Sequence, residues 1–505
     1  MGDVTKLVGV VGVGAMGRGI AQIAAQAGIT VRLVDARPGA AAEARAAIAA
    51  ALEKLAEKGK LPRAEVAAAV ERLVPCAGGV GALAGCEVVV EAIVEDLEAK
   101  RALLRELEGV VGEGCVLATN TSSLSVTAMA AGLAHPQRVA GFHFFNPVPL
   151  MKVVEVVAGL VTDASVVDRL AALAARMGHT AVRAKDTPGF IVNHAGRGFG
   201  TEGLRILAEG VAEVEDLDRV LRDTAGFKLG PGELMDLTGL DVSHPVMESV
   251  YRQFYDEPRF RPQPLTRQML AAGLLGRKTG RGFYVYRDGA AVRTPEPPPS
   301  AARPASVWVS RARPELAARV AGLVRELGVL LDEGAAPAPE SLCVVTPVGE
   351  DATTCAVRER LDAGRTVAVD AVFELGRRRV VMTTPLTTAE ARAAARGLFG
   401  ADGVPVTVIR DSPGLVAQRV VATIVNIAAE IAQLRIAAPG DVDRAVVLGL
   451  GYPHGPLAWG DRLGPRVVLE ILDNLHALTR DPRYRPSPWL RRRAQLGASL
   501  LTPES

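Results

Sequence analysis

The chain has little lysine, few cysteines and no long apolar run, and each shortage excludes a class of protein. Nine of its 58 basic residues are lysine, the last being Lys278, and 56 acidic side chains leave a formal charge of +2. That balance gives neither the electrostatic footprint of a nucleic-acid binder nor a polybasic membrane patch. Where arginine has replaced lysine so widely, the surviving lysines become candidates for positions that need a compact ammonium. The five cysteines (Cys76, Cys86, Cys115, Cys343, Cys355) are scattered, odd in number and never in C-x-x-C spacing. They read as buried small hydrophobes in a reducing cytoplasm, not as disulfides or metal ligands, so no metal is expected. No apolar run reaches the roughly 18 residues of a membrane span. The segment Met1–Gly17 has no basic start and no small-residue cleavage site, and Lys6 stands where a myristoylation signal needs Ser or Thr. A cytoplasmic location is therefore expected.

A length of 505 residues suggests about three domains. Residues 6–185 alternate short apolar runs with Ala-rich helical patterns, the signature of β-α units on a parallel sheet. LVGVVG (7–12), ITVRLVD (29–35), CEVVVEAI (86–93), CVLATN (115–120) and RVAGFHFF (138–145) read as strands, and residues 40–74 as a two-helix insertion. From Asp186-Thr187-Pro188-Gly189 to about residue 288 the pattern is helical, and prolines then make 289–306 a semi-rigid extended linker. Residues 307–410 return to alternating strands and helices without any glycine fingerprint. The last segment, 411–505, repeats the helical one: Asp186-Thr187-Pro188-Gly189 matches Asp411-Ser412-Pro413-Gly414, and Gly230-Pro231 matches Gly455-Pro456, both at an offset of 225. Two matches at one offset indicate a duplicated helical module.

Gly12-Val13-Gly14-Ala15-Met16-Gly17 follows the first strand and opens a helix, and Asp35 ends the second strand 18 residues after Gly17. Gly12 makes the tight turn, Gly14 lets backbone amides approach a pyrophosphate, and Gly17 permits close helix–strand packing. The pyrophosphate then sits on a helix N-terminus. The expected fold is α/β: an N-terminal Rossmann-type doubly wound sheet, an all-α domain, a degenerate α/β segment and a second all-α copy. Asp35 can accept from a ribose 2′-OH and repel a 2′-phosphate, which favours NAD, although Arg37 nearby could accommodate that phosphate.

Thr119-Asn120-Thr121-Ser122-Ser123 ends one strand and Gly141-Phe142-His143-Phe144-Phe145-Asn146-Pro147 the next, where ligands bind in an open parallel sheet. Glu155 follows His143 by 12 residues inside an apolar run, a costly place for an unpaired carboxylate. Through TNTSSL, GFHFFNP, MKVVEVV, DTPGFIVN and LGRKTGRGFYVY the sequence resembles the 3-hydroxyacyl-CoA dehydrogenase family over essentially its whole length. The tandem helical module, GYPHGPLAWG and RYRPSPWLRRRA look like the subgroup of phenylacetate degradation that acts on 3-hydroxyadipyl-CoA.

The resemblance implies NAD-dependent oxidation of the 3-hydroxyl of an (S)-3-hydroxyacyl-CoA, with 3-hydroxyadipyl-CoA or 3-hydroxybutyryl-CoA as substrate. It makes His143 the general base, Glu155 the carboxylate that orients it, and Ser122 and Asn193 the hydrogen-bonding groups on the reacting oxygen. Asn193 is expected on the second domain, so that the site straddles a domain interface. The resemblance also puts Glu95, Lys100, Ser122, Asn146 and Lys278 against NAD, and Lys58, with Lys54 and Lys60 beside it at helical spacing, against coenzyme A phosphates.

Competing readings stay open. Glu155 could pair with Lys152 or an arginine, Ser122 and Ser123 could cap the next helix, and Lys54 and Lys58 could be a solvated face. A dehydrogenase of free β-hydroxyacids would use a catalytic lysine, which GFHFFNP followed by Glu155 argues against. A non-enzymatic NAD-binding protein would have no need of His143, Glu155, Ser122 and Asn193 together.

Two departures stand out. The family has Arg after the Asn of DTPGFIVN, whereas this chain has His194. The second copy carries Gln418 in the register of Asn193, with no glycine loop or His–Glu pair before it, so it is expected to be non-catalytic. Helical domains of two-domain members pair as dimers, so the chain is either a homodimer or a monomer whose second copy imitates the partner.

Overall fold

Residues 5–298 and 300–504, described in a computed structural model, form two compact units. One gathers the chain up to His194 together with Leu434–Leu450; the other holds Ala195–Gln433 and the residues from Gly451 onward. Asn193 therefore belongs to the first unit, on the short helix Val192–Ala195.

The first unit is built on β1 (Leu7–Val11), β2 (Thr30–Val34), β3 (Leu73–Pro75), β4 (Val88–Glu91), β5 (Val116–Thr119), β6 (Val139–Phe144), β7 (Val153–Ala158) and β8 (Thr180–Lys185). They lie in the order β3-β2-β1-β4-β5-β6-β7-β8. The first six run parallel, β7 turns back antiparallel on β6, and β8 runs parallel to β7. Strands covered on both faces bury their side chains, which is why β4 to β7 are mostly apolar and buried at every position but Ala158. The order reverses between β1 and β4, the crevice where such sheets bind ligands. The two-helix insertion is Ala40–Glu57 and Arg63–Glu71. Lys58 is the C-cap of the first of these helices, and Lys60 lies beyond it in a turn. Of the three lysines expected at helical spacing, only Lys54 and Lys58 have it.

In the second unit a hairpin of β9 (Val285–Arg287) and β10 (Ala290–Val292) precedes a six-stranded sheet. This sheet comprises β11 (Ser306–Val309), β12 (Leu330–Asp332), β13 (Ser341–Val345), β14 (Thr366–Val369), β15 (Arg379–Thr383) and β16 (Val406–Ile409). Its order is β12-β11-β13-β14-β15-β16. The stretch from β13 to β16 repeats β5 to β8, at an offset of 225 for β13 and 226 for β14 to β16, down to the one antiparallel step, β14 on β15 as β6 on β7. In the first unit His143 faces Glu155 and Glu155 faces Val182; in the second Val369 faces Val381 and Val381 faces Val408. The second sheet keeps the scaffold and has valine at both chemical positions.

The repeated aspartate has a structural duty in both units. Asp186 accepts from the amides of Val126 and Thr127 at 3.1 and 2.7 Å, at the start of the helix Val126–Ala130. Asp411 accepts from the amides of Ala352 and Thr353 at 2.8 and 3.2 Å, at the start of Ala352–Glu359. Each acid fills orphan donors at a helix N-terminus.

The proline-rich segment is fastened rather than a free spacer. Arg293 pairs with Glu233 at 2.5 Å, Thr294 donates its amide to Glu215, Glu296 pairs with Arg378, and the Pro298 carbonyl accepts from Arg396. In the same unit the helices Arg197–Ala208 and Ala417–Gln433, one from each helical copy, lie together: a Cβ on Gly198 would sit 3.0 Å from Ile427. Arg419, 2% exposed, donates to Glu202 at 2.5 Å and to Glu209 at 2.7 Å, and Tyr484 donates to the same Glu202 oxygen at 2.5 Å. Burial alone would raise the Glu202 pKa, but Arg419, Arg483 and Tyr484 hold it below the ordinary carboxylate value.

No helix among the described residues is long and apolar enough to cross a membrane, and no group of three or more His, Cys, Asp or Glu side chains there could hold a metal. Four of the five cysteines are buried, and burial pushes the Cys86 thiol up to about 11 and that of Cys115 to about 12.

Candidate active site

The glycine loop leaves β1 and enters the helix Ala15–Gln26 with Gly14 as N-cap. Gly12 has φ +88°, and a Cβ there would lie 2.6 Å from the carbonyl oxygen of Ala92. A Cβ on Gly17 would lie 1.8 Å from the Gly12 carbonyl oxygen, so helix and loop touch backbone to backbone. Gly14 by contrast faces open space, with nothing within 4 Å of a built Cβ. This combination fits a pyrophosphate on the helix N-terminus. Asp35 accepts the Val13 amide at 2.9 Å and the Arg37 amide at 2.9 Å, which fixes its carboxylate at the tip of β2. Arg37 is occupied by Glu43 at 2.5 Å, which raises the guanidinium pKa, so the charge presented at the ribose position is that of Asp35.

A cavity of about 340 Å³ opens at the ends of β4, β5 and β6, lined among others by Met16, Glu95, Lys100, Ser122, His143 and Asn146. His143 and Glu155 are ladder partners on β6 and β7, and the His143 Nδ1 lies 2.6 Å from Glu155 Oε2. Glu155 is fully buried, and its other oxygen accepts the amides of Ile191 and Val192 at 2.8 and 2.9 Å. Among the described residues, neither Lys152 nor an arginine pairs with it. An anion held by two amides and the ring fixes the Nδ1–H tautomer and leaves Nε2 as the acceptor. The rings of Phe145 and Phe190 flank the imidazole, with centroids at 4.4 and 5.7 Å. Asn193 follows Val192 directly on the short helix whose amides hold Glu155.

Glu95 gathers the strand end after β5. It accepts from the Thr121 hydroxyl at 2.7 Å, the amides of Ser122 and Ser123 at 2.9 and 3.1 Å and the Ser123 hydroxyl at 3.0 Å. Burial would raise its pKa, but these donors and Lys100 hold it low. The cap of the next helix is Ser125, which accepts the Ala128 amide, and neither Ser122 nor Ser123 has that task. Lys100 is 1% exposed and spans Glu91 at 2.5 Å and Glu95 at 3.3 Å.

Several site residues escaped the sequence reading. Glu91 closes β4 fully buried and accepts from Lys100, the Thr119 hydroxyl at 2.7 Å and the Ile93 amide. Asn120 accepts the Phe144 amide at 2.8 Å and so ties the ends of β5 and β6. The signal that found Glu155, an acid within an apolar run, was equally present at Glu91 in CEVVVEAI. Lys54, Lys58 and Lys60 are exposed, and Lys278 lies in the second unit, 2.6 Å from Asp241.

Residues 7–187 match the 3-hydroxyacyl-CoA dehydrogenase NAD-binding domain, and residues 189–286 and again 414–499 match the C-terminal domain of that family. The 3-hydroxyadipyl-CoA dehydrogenase of Escherichia coli K12 is 38% identical over 97% of this chain and 98% of its own. The probable 3-hydroxybutyryl-CoA dehydrogenase of Bacillus subtilis is 40% identical over 56% of this chain and 98% of its own. A solved 3-hydroxybutyryl-CoA dehydrogenase from Escherichia coli K12 superposes with a TM-score of 0.86 at 36% identity, over 97% of this chain and 98% of that one. With the paired base, the glycine loop and both family domains in place, the chain belongs to the 3-hydroxyacyl-CoA dehydrogenase family, as an NAD-dependent oxidoreductase.

Proposed function

We propose that the chain oxidises an (S)-3-hydroxyacyl-CoA to the 3-oxoacyl-CoA, with 3-hydroxyadipyl-CoA as its substrate, and that His143 and Glu155 carry the proton chemistry. The observation that carries the reading is the 2.6 Å contact of His143 with a carboxylate anchored by two amides. Bound NAD supplies the hydride acceptor. Nε2 of His143 takes the hydroxyl proton, and Glu155 stabilises the imidazolium that results. Ser122, at the cavity wall, and Asn193 hold the oxygen of the substrate beside that nitrogen. Gly12, Gly14 and Gly17 seat the pyrophosphate and Asp35 the ribose, with Glu95, Lys100 and Asn146 as further NAD contacts. Lys58, with Lys54, takes coenzyme A phosphates at the exposed helix end, and Lys60 serves from the following turn.

The preference for a dicarboxylic acyl chain rests on a full-length relative with that name and the same tandem helical copies. A comparison of kcat/KM with NAD tests it. Preference for 3-hydroxyadipyl-CoA over 3-hydroxybutyryl-CoA by about tenfold or more, about 1.4 kcal/mol, supports it. Equal or reversed values replace it with the 3-hydroxybutyryl reading. The second helical copy takes the part of a partner subunit, supported by the pairing of Arg197–Ala208 with Ala417–Gln433 around Arg419. A monomer by sedimentation is the expected state.

A further inference from the structure

The second unit has its own cavity at the corresponding strand ends, about 520 Å³ in volume. Val348 follows β13 as Ser122 and Ser123 follow β5, and Val372, after β14, stands at the register of Asn146 at the 226 offset of that strand. Asn193 has its counterpart in Gln418, a fully buried side chain that donates to the Pro347 carbonyl at 3.1 Å and to Asp370 at 2.9 Å and accepts the Gly349 amide at 2.9 Å. Duplication has thus kept the crevice of a parallel sheet and exchanged its polar, proton-handling groups for aliphatic ones.

What surrounds the apolar floor carries three arginines against two glutamates, Glu315 and Glu470. Arg313 and Arg319 enter from the start of the helix Pro314–Glu326, and Arg462 from the end of Pro456–Leu463. Arg313 is balanced by Glu470, and Arg319 is oriented by the carbonyls of Ala371 and Phe373 at 2.8 and 3.2 Å. Arg462 pairs with no carboxylate among the described residues. Leu316 and Val467 complete the aliphatic wall. The volume lies within the range of about 300–1,000 Å³ usual for small-molecule sites. The proline at the first helical position and the missing glycines leave no pyrophosphate loop after β11.

We propose that this cavity binds a small organic anion with an apolar body, a short- or medium-chain carboxylate, with the chain on Val348 and Val372 and the carboxylate on Arg462. Charge-assisted hydrogen bonds from a guanidinium suit a carboxylate, and the aliphatic floor rewards a hydrocarbon tail rather than a bare ion. The test is calorimetric titration of the full chain with hexanoate, hexanol and inorganic phosphate, alone and with saturating NAD and acetoacetyl-CoA. Hexanoate is expected to bind saturably at one site and to outbind hexanol and phosphate. Its Kd should rise about tenfold or more in Arg462→Glu and in Val372→Trp, and stay unchanged in His143→Ala. Dehydrogenase turnover of the Arg462 variant, expected to be normal, serves as its folding control. Absence of saturable binding, equal binding by the Arg462 variant, equal binding of phosphate, or displacement by NAD with acetoacetyl-CoA would each overturn the proposal.

Discussion

Gln418 donates from Nε2 to Oδ1 of Asp370 at 2.9 Å, and both side chains are wholly or almost wholly buried. The residue in the register of Asn193 is thus spent on holding a loop and a strand end together. Gln418→Ala is expected to leave turnover within about twofold of the parent while costing about 1–3 kcal/mol of stability, since it strips partners from buried groups. Steady-state rates and the thermal midpoint of the same preparation check both halves. A collapse of turnover in a folded variant would show that the second copy contributes chemistry.

Asp370 itself carries a cost. Burial pushes its pKa up to about 6 from an ordinary 3.8, so the folded state binds a proton that the unfolded chain has released. A raised acid contributes its full stability below the unfolded value and loses it as pH rises from about 4 to about 6. Asp370→Asn is expected to raise the unfolding midpoint at pH 7, by about 2–3 kcal/mol at most on a scale of about 1.4 kcal/mol per pKa unit. The gain should vanish near pH 4. A variant that gains equally at both pH values would contradict this account.

His143→Ala and Glu155→Gln are expected to lower kcat by about 10²–10⁴, the usual contribution of a positioned acid–base group. NAD affinity, read by fluorescence titration, should change by less than about threefold, because neither residue belongs to the glycine loop. Loss of NAD binding in either variant would sink the assignment of roles.

Glu202 has a lowered pKa, so it contributes stability above the unfolded carboxylate value of about 4.3 and loses it as pH falls. Glu202→Gln is expected to cost, near neutral pH, the lower part of the about 3–5 kcal/mol of a broken buried pair. Glu209 still holds Arg419 and softens the loss. The variant and the parent should converge as pH drops toward 3. Parallel stability curves across the acid range would show that the pair is not what holds these helices.

Asp35→Ala should weaken NAD and admit NADP, changing the ratio of their kcat/KM values by about tenfold or more. Because Glu43 occupies Arg37, Glu43→Ala on the same background should improve NADP further. An unchanged ratio would remove Asp35 from coenzyme selection.

Sequence alone resolved five of the eight strands of the first sheet, the glycine loop and the duplicated helices, because each leaves a local pattern: an apolar run, a spacing, a repeated motif; the pairing of His143 with Glu155 came with the family resemblance. It was silent where the decisive groups are backbone. Nothing in the composition of Ile191 or Val192 announces that their amides anchor Glu155, and nothing in DTPG announces that its aspartate caps a helix some 60 residues earlier. The proline-rich stretch read as a spacer because its partners, Glu233, Glu215, Arg378 and Arg396, are distant in sequence. The 226-residue register of the second sheet escaped notice because valine at 369 and 381 leaves no chemical signature to align.

Arg419 and Glu202 form a single bridge where two identical halves would have formed a pair of them. Residues 225 positions away from each are His194 and Ile427. Lock and key have therefore been shared out, the cation to one copy and the anion to the other. A chain cut back to its first copy and allowed to self-associate would set each Glu202 opposite a histidine, His194, where an arginine now stands. With that division made, the buried acid of one copy relies on the arginine of the other, and a change at either position is felt in both.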